Sequence, residues 1–285
     1  MWAGCMKINT LTIVGVGLIG GSIGLAAKQR GLAKRIIGTS RTQAGLDKAR
    51  ALGIVDEGLL DIEKAVPAAE IAIFCTPVDQ IEKQVLQAGQ SCSPGTVLTD
   101  TGSAKAQIVK GVQARMRNGV AFVGSHPLAG SEKQGPEHAD ADLFQGKWTI
   151  VTKTAVTDAE ALAKVTAFWQ ALGSQVRVMD PKEHDRAVAW TSHLPHLAAA
   201  ALTGILPPDL QELAASGFRD TTRIAAGDPA LWTPIMMHNR SALLEALREF
   251  GRNCRRYRKV LQTRDWTGLE ELLTQAKKVR DALGS

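Results

Sequence analysis

Residues 11–20 read LTIVGVGLIG, and how these ten residues are parsed decides the fold. Leu11 to Val14 is a short apolar run. Gly15, Gly17 and Gly20 follow at fixed spacing, and Ser22 to Arg30 has the composition of a helix closed by Gly31. A strand that turns through glycines into a helix is the context in which Gly-x-Gly-x-x-Gly carries meaning. Gly15 allows the tight turn, Gly17 lets the backbone approach a pyrophosphate, and Gly20 brings helix and strand together. The helix then opens at Leu18 and Ile19 with unpaired N–H groups and the positive end of its dipole. Gly15, Gly17, Leu18, Ile19 and Gly20 are therefore expected to cradle dinucleotide phosphates.

Working outward, Arg35–Ser40, Glu70–Thr76, Gly95–Asp100 and Val120–Gly124 read as further strands. Residues 42–52 and 79–90 between them have apolar spacing nearer 3.6 than 2. Alternation of this kind predicts a parallel sheet covered on both faces. A strand, helix, strand set follows at 148–152, 158–172 and 175–179. Beyond Pro181 strand signals stop. An Ala-rich stretch runs from Lys182 to Leu206, a Gly- and Asp-rich loop from Ser216 to Pro229, one long helix from Pro234 to Gln262, and a last helix from Trp266 to Leu283. Leu243, Leu247, Phe250, Cys254, Tyr257 and Leu261 alternate steps of four and three, a seam that requires a partner helix. The expected division is an α/β dinucleotide-binding domain over 1–180 and an all-α domain over 181–285.

Composition narrows the partners. Of 285 residues 45% are hydrophobic and 22% charged, which excludes wholesale disorder. A net charge of +6 suits an anionic small molecule as well as nucleic acid. The basic cluster from Arg248 to Arg264 lacks interleaved stacking aromatics and surrounds the apolar seam, so it reads as a solvated or dimer-flanking face, with no nucleic-acid partner. Cys5, Cys75, Cys92 and Cys254 have no metal-ligand spacing, so no metal site is expected, and they read as reduced cytoplasmic thiols. Leu11–Ala27 is uncharged, but its five glycines argue against a membrane span.

The second strand ends in Thr39-Ser40-Arg41-Thr42, with no carboxylate before Asp47. A carboxylate there would accept from the ribose 2′-OH of NAD; Ser40, Arg41 and Thr42 would instead hold a 2′-phosphate, which favours NADP, with NAD second. Thr76, Pro77 and Asp100 lie at strand ends facing the same crevice. So do two polar runs, Asp100–Lys105 and Ser125–Gly130. In the latter, His126 is the candidate general base, and Ser103 is expected to fix its tautomer.

Four stretches together resemble the prephenate/arogenate dehydrogenase family: GSHPLAGSE at 124–132, DTGSAK at 100–105, WTSHLPH at 190–196 and SGFRDTTR at 216–223. The resemblance implies an N-terminal Rossmann domain and a helical domain through which the family dimerises. It implies oxidative decarboxylation of prephenate or arogenate, the last oxidative step toward tyrosine. It places the catalytic histidine at His126, the orienting serine at Ser103, the carboxylate-binding arginine at Arg223, and substrate-pocket roles at His193, His196, Ser192 and Ser131. Two rival readings are kept. Another two-domain NADP-dependent hydroxyacid dehydrogenase would want a pocket lysine in the helical half, where Lys182 and Lys259 do not sit in pocket-like sequence. A non-catalytic NADP-sensing protein would bind without turnover.

Overall fold

The structure is a computed structural model that describes residues 6–130 and 133–284. Ser131, expected in the substrate site, and Glu132 lie outside the described residues. The first strands and helices are β1 (Ile8–Val14), α1 (Leu18–Gln29), β2 (Ala33–Thr39), α2 (Gln43–Ala51), β3 (Glu57–Leu59), α3 (Ile62–Ala65), β4 (Ile71–Phe74), α4 (Val78–Ser91), β5 (Val97–Asp100), α5 (Ala106–Gln113) and β6 (Ala121–Val123). The six strands form one parallel sheet in the order β3-β2-β1-β4-β5-β6. That is the Rossmann order, whose switch point falls between β1 and β4.

Strand periodicity explains why both faces are covered. On β4, Ile71 and Ile73 enter one core with Ile23 and Phe168, while Ala72 and Phe74 enter the other with Val85 and Ile108. The chain leaves this sheet at Gly124, whose carbonyl accepts from the backbone and side chain of Thr152. It then forms β7 (Ser125–Pro127), which pairs antiparallel with β8 (Trp148–Thr152). After α6 (Ala159–Ala171), β9 (Gln175–Met179) pairs parallel with β8. His126 is thus on a second short strand just past the end of β6.

Among the described residues from Pro181 on, every regular element is helical. Asp180 and Glu183 make a capping box that starts α7 (Pro181–Val188). The helix then widens into a π turn over Ala189–His193, where the Leu194 N–H reaches back to the Ala189 carbonyl. Pro195, with no N–H to give, opens α8 (Leu194–Gly204). Residues 216–229, expected as a loop, contain α9 (Ser216–Thr222) and a tight turn over Arg223–Ala226.

The expected single helix from Pro234 is also two: α10 (Pro229–His238) and α11 (Arg240–Thr263), followed by α12 (Trp266–Ala282). The break falls at Asn239, whose side chain donates to the Asp185 carbonyl at 2.7 Å. Leu243 of the seam is buried beside Ala189 and Leu194, but Leu247, Phe250 and Leu261 are exposed. Among the described residues no helix is long and apolar enough to cross a membrane.

Candidate active site

Gly15 has φ +97°, and a Cβ there would stand 2.9 Å from the Cys75 carbonyl oxygen and 3.0 Å from Thr76 Cγ2. Only glycine meets both conditions. A Cβ on Gly20 would fall 2.1 Å from the Gly15 carbonyl oxygen, so this position brings helix against turn. Gly17 differs: a Cβ there would have nothing within 4 Å. Gly17 is also the N-cap of α1 and no side chain caps that end. Open space before the uncapped N–H groups of Leu18 and Ile19 fits a diphosphate, and these residues would hold it. Thr76 and Pro77 close β4 beside this turn, with Thr76 Oγ1 donating to Gln84 Oε1 at 2.6 Å. The Cys75 thiol next to them is pushed up to about 12 by burial and by the charge of Asp100, so it stays protonated.

At the end of β2, Arg41 is exposed and, among the described residues, makes no ion pair. Ser40 is half-buried. The Thr42 hydroxyl accepts from the Gly45 N–H at 3.2 Å as the N-cap of α2, so its acceptor side holds the helix rather than a ligand.

Asp100 departs further from expectation. Its carboxylate is fully buried, ion-paired with the equally buried Lys105, and accepts from the N–H of Gly102 (2.9 Å) and Ser125 (3.1 Å). The Ser125 hydroxyl meets the Asp100 carbonyl, Thr99 and the Trp169 indole N–H. Asp100 is a strut that ties β5 to β7, not a ligand of the cofactor. Burial lowers the Lys105 pKa against the raising effect of Asp100.

His126 projects from β7 with its ring half-buried. The following loop reaches the nucleotide cradle, since a Cβ on Gly130 would lie 3.9 Å from Ile19 Cδ1. The partner expected for this ring was Ser103. Among the described residues Ser103 makes no hydrogen bond to either ring nitrogen, and His126 Nδ1 is instead 2.8 Å from Nε2 of His184. His184 Nδ1 is 2.8 Å from Asp185 Oδ1, and the Asp185 carboxylate accepts from the N–H groups of Lys105 (2.7 Å) and Ala106 (2.9 Å) at the start of α5. Desolvation first, then the neighbouring rings of His184 and His193 and the ammonium of Lys105, hold His126 well below the ordinary histidine range. It is neutral at pH 7.

Sequence reasoning missed His184 and Asp185. The available signal was spacing: Pro181, His184, Asp185 and Val188 fall on one helical face, and all four are buried.

The helical half supplies the far side. Asn239 Nδ2, which donates to the Asp185 carbonyl, also lies 3.0 Å from His193 Nδ1. An amide N–H can only donate, so His193 carries its proton on Nε2. Burial pushes His193 down to about 4, with His184 and His196 helping and Asp185 opposing. His196 is buried and stacked on Trp232 at 3.7 Å, and a Cβ on Gly227 would touch both rings. Trp232 was not anticipated. Ser192 is exposed in the π turn. Arg223 is exposed after α9, against α8, and makes no ion pair among the described residues. Arg219, four residues earlier, donates to the Ala214 carbonyl. The structure therefore joins His126, His184, Asp185, Asn239 and His193 in one cluster that spans both halves of the chain.

A neutral imidazole on the segment that leads to a dinucleotide cradle is equipped to take a proton while hydride passes to a nicotinamide, and the class of protein this defines is an NAD(P)-dependent oxidoreductase. Comparison with known proteins narrows the class. Residues 23–178 match the prephenate dehydrogenase nucleotide-binding domain, and residues 180–275 match the prephenate dehydrogenase dimerization domain. The chain belongs to the prephenate dehydrogenase family.

It is 34% identical over 280 residues to a cyclohexadienyl dehydrogenase of Zymomonas mobilis, covering 96% of this chain and 95% of that one. A prephenate dehydrogenase of Bacillus subtilis is 33% identical, covering 96% of this chain and 76% of the relative. Among solved structures, prephenate dehydrogenase from Aquifex aeolicus in complex with hydroxyphenyl propionate and NAD+ superposes with a TM-score of 0.91 at 30% identity, covering 98% of this chain and all of that one. Synechocystis arogenate dehydrogenase gives 0.84 at 33% identity, covering 96% and 99%.

Proposed function

We propose that the protein catalyses oxidative decarboxylation of prephenate, arogenate or both, with NADP as the preferred hydride acceptor. It would act as a cytoplasmic homodimer, built from a nucleotide-binding domain to residue 180 and a helical domain beyond. The observation that carries this reading is the neutral imidazole of His126, tethered at Nδ1 on the strand whose loop reaches the phosphate cradle.

The chain's own residues account for the rest. His126 accepts the C4 hydroxyl proton of the cyclohexadienol at Nε2. Ser103, half-buried three residues past the end of β5, would contact the substrate, because it is His184 that lies within hydrogen-bond distance of the His126 ring. His193 presents a neutral N–H donor, His196 on Trp232 offers a flat wall, and Ser192 adds a hydroxyl at the rim. Arg223, exposed and without an ion pair among the described residues, takes a carboxylate in bidentate fashion. The side-chain carboxylate is the better assignment, because a grip on the departing one would stabilise the ground state more than the transition state. A bound nicotinamide supplies the hydride acceptor. Ser40 and Arg41 favour its 2′-phosphorylated form, because no carboxylate stands at the end of β2.

The test is nicotinamide absorbance during turnover with each substrate and each cofactor, for the wild type and for His126→Gln. The variant should lose about 10²- to 10⁴-fold in kcat, the usual worth of a general base. Undiminished turnover by His126→Gln rejects the reading, as does cofactor binding without turnover on either substrate.

A further inference from the structure

We infer that His184 is the positioning residue that makes His126 a base, and that His126, His184 and Asp185 form a relay in which the proton taken from substrate is shared between two rings. The inference rests on the function proposed above.

Each hydrogen-bond direction in the chain is forced by the one before it. Asp185 accepts two backbone N–H groups, one on each oxygen, at the first turn of α5, where an ionised carboxylate is favoured. An ionised carboxylate has no proton to give, so His184 Nδ1 must be the donor in the 2.8 Å contact with Oδ1. A neutral His184 then has only a lone pair at Nε2, and burial, which outweighs the attraction of Asp185, keeps it neutral. His126 Nδ1 must therefore donate across its own 2.8 Å contact. His126 Nε2 is left with its lone pair and accepts nothing from the described protein. The groups facing the pair are Asp100 at the end of β5, Lys105 from the β5–α5 connection, Asp185 from α7 and His193 from the π turn. Lys105 is already paired with Asp100, which leaves Asp185 as the carboxylate turned toward the rings.

During the reaction the C4 hydroxyl proton moves to His126 Nε2 as hydride leaves C4 for the nicotinamide. The Nδ1 proton of His126 passes to His184 Nε2, so the positive charge comes to rest on the ring beside the Asp185 carboxylate. The bond from C1 to the departing carboxylate then breaks, carbon dioxide leaves, and the electron pair completes an aromatic phenolate. That oxygen takes its proton back from His126 Nε2 as the shift along the chain reverses. No net proton is released, and Asp185 is never protonated.

The experiment compares wild type, His184→Gln and His184→Leu with cofactor bound, using nitrogen-15 spectra of the six histidines, kcat and KM, and kcat/KM against the deuterium fraction of the solvent. Wild-type His126 and His184 should both show a protonated Nδ1, the tautomer that free histidine favours less in water. Glutamine can accept from His126 Nδ1 but cannot take its proton. His184→Gln should therefore keep the tautomer, lose about 10- to 100-fold in kcat at unchanged KM, and turn a bowed deuterium dependence into a straight line. His184→Leu should also lose the tautomer and about 10³-fold in kcat. A proton on His126 Nε2 in the wild type, a bowed dependence kept by His184→Gln, or near-normal turnover by His184→Leu each overturns the relay. Should His126→Gln be inactive while His184→Leu is active, the relay fails and the function stands. Full activity in both removes the function as well.

Discussion

In the α/β half most large apolar side chains are inside and even the buried charges have partners. In the helical half Leu247, Phe250, Leu261 and Trp266 stand exposed. The buried polar atoms divide the same way. Asp100, Lys105, Ser125 and Thr99 are all hydrogen-bonded, whereas among the described residues the buried side-chain nitrogens that lack a partner are His196 Nδ1 and His238 Nδ1, both after residue 181. Unpaired buried nitrogen and uncovered leucine both carry a cost in a finished fold. The first half is complete within one chain, whereas the second leaves apolar surface on α11 uncovered, which is where the second copy proposed above would pack.

The strongest way to break this contrast is to spoil the closed network of the first half. Lys105→Met leaves the Asp100 carboxylate fully buried without its cation. The expected loss is about 3–5 kcal/mol in urea unfolding, because the carboxylate stays behind without its partner. Adding Asp100→Asn should recover part of it. A loss below about 1 kcal/mol would mean that the network is not what holds β5 to β7.

The helical half answers to a different change. Leu247→Asp places a charge on the exposed seam and should yield monomer or aggregate by light scattering. The lost contacts are worth about 2 kcal/mol per leucine. A wild-type monomer at micromolar concentration would refute the seam, and the exposed residues of α11 would need another partner.

Acid tests the boundary between the halves, where the histidines collect. His193 is held at about 4 by burial, against 6.5 for a free ring. Between those values the unfolded chain binds a proton that the native ring refuses, so stability falls as pH drops below about 6.5 and the loss levels off near 4. At pH 5 this one ring costs about 2 kcal/mol, and His126, His184 and His196 are shifted in the same direction. Thermal midpoints should drop steeply between pH 6.5 and 5. A flat profile over that interval would mean that the rings protonate without unfolding.

The cofactor end was legible because its geometry is local: a positive φ and two close approaches are written into three glycines within six residues. The base pocket was legible only in part. His126 stood out by residue type at a strand end, but its partner lies 58 residues away on α7, and no local pattern joins them. The spacing of His184 and Asp185 with Pro181 and Val188 announced a buried face without saying what that face meets. Asp100 misled because a polar residue at the end of a parallel strand looks the same whether it points to a ligand or to a lysine five positions on. Asn239 was hidden because apolar periodicity runs through it, and the bonds that break the helix there go to Asp185 and His193, far off in the chain.

The smallest expected effect on stability is also the sharpest test of the cradle. Gly17 has φ −86° and ψ −153°, an extended conformation that alanine adopts, and a methyl group there meets no protein atom within 4 Å. Gly17→Ala should leave the fold intact or raise its stability by about 0.4–1 kcal/mol, because the unfolded chain loses freedom. The same methyl would stand in the space assigned to the diphosphate, so dinucleotide affinity should fall at least tenfold, about 1.4 kcal/mol. Gly20→Ala is the control. Its methyl would stand 2.1 Å from the Gly15 carbonyl oxygen and should lower the melting temperature before affinity can be measured. If Gly17→Ala binds NADP as tightly as the wild type by titration calorimetry, the phosphates do not lie over the start of α1, and the cofactor must be placed elsewhere along the strand ends.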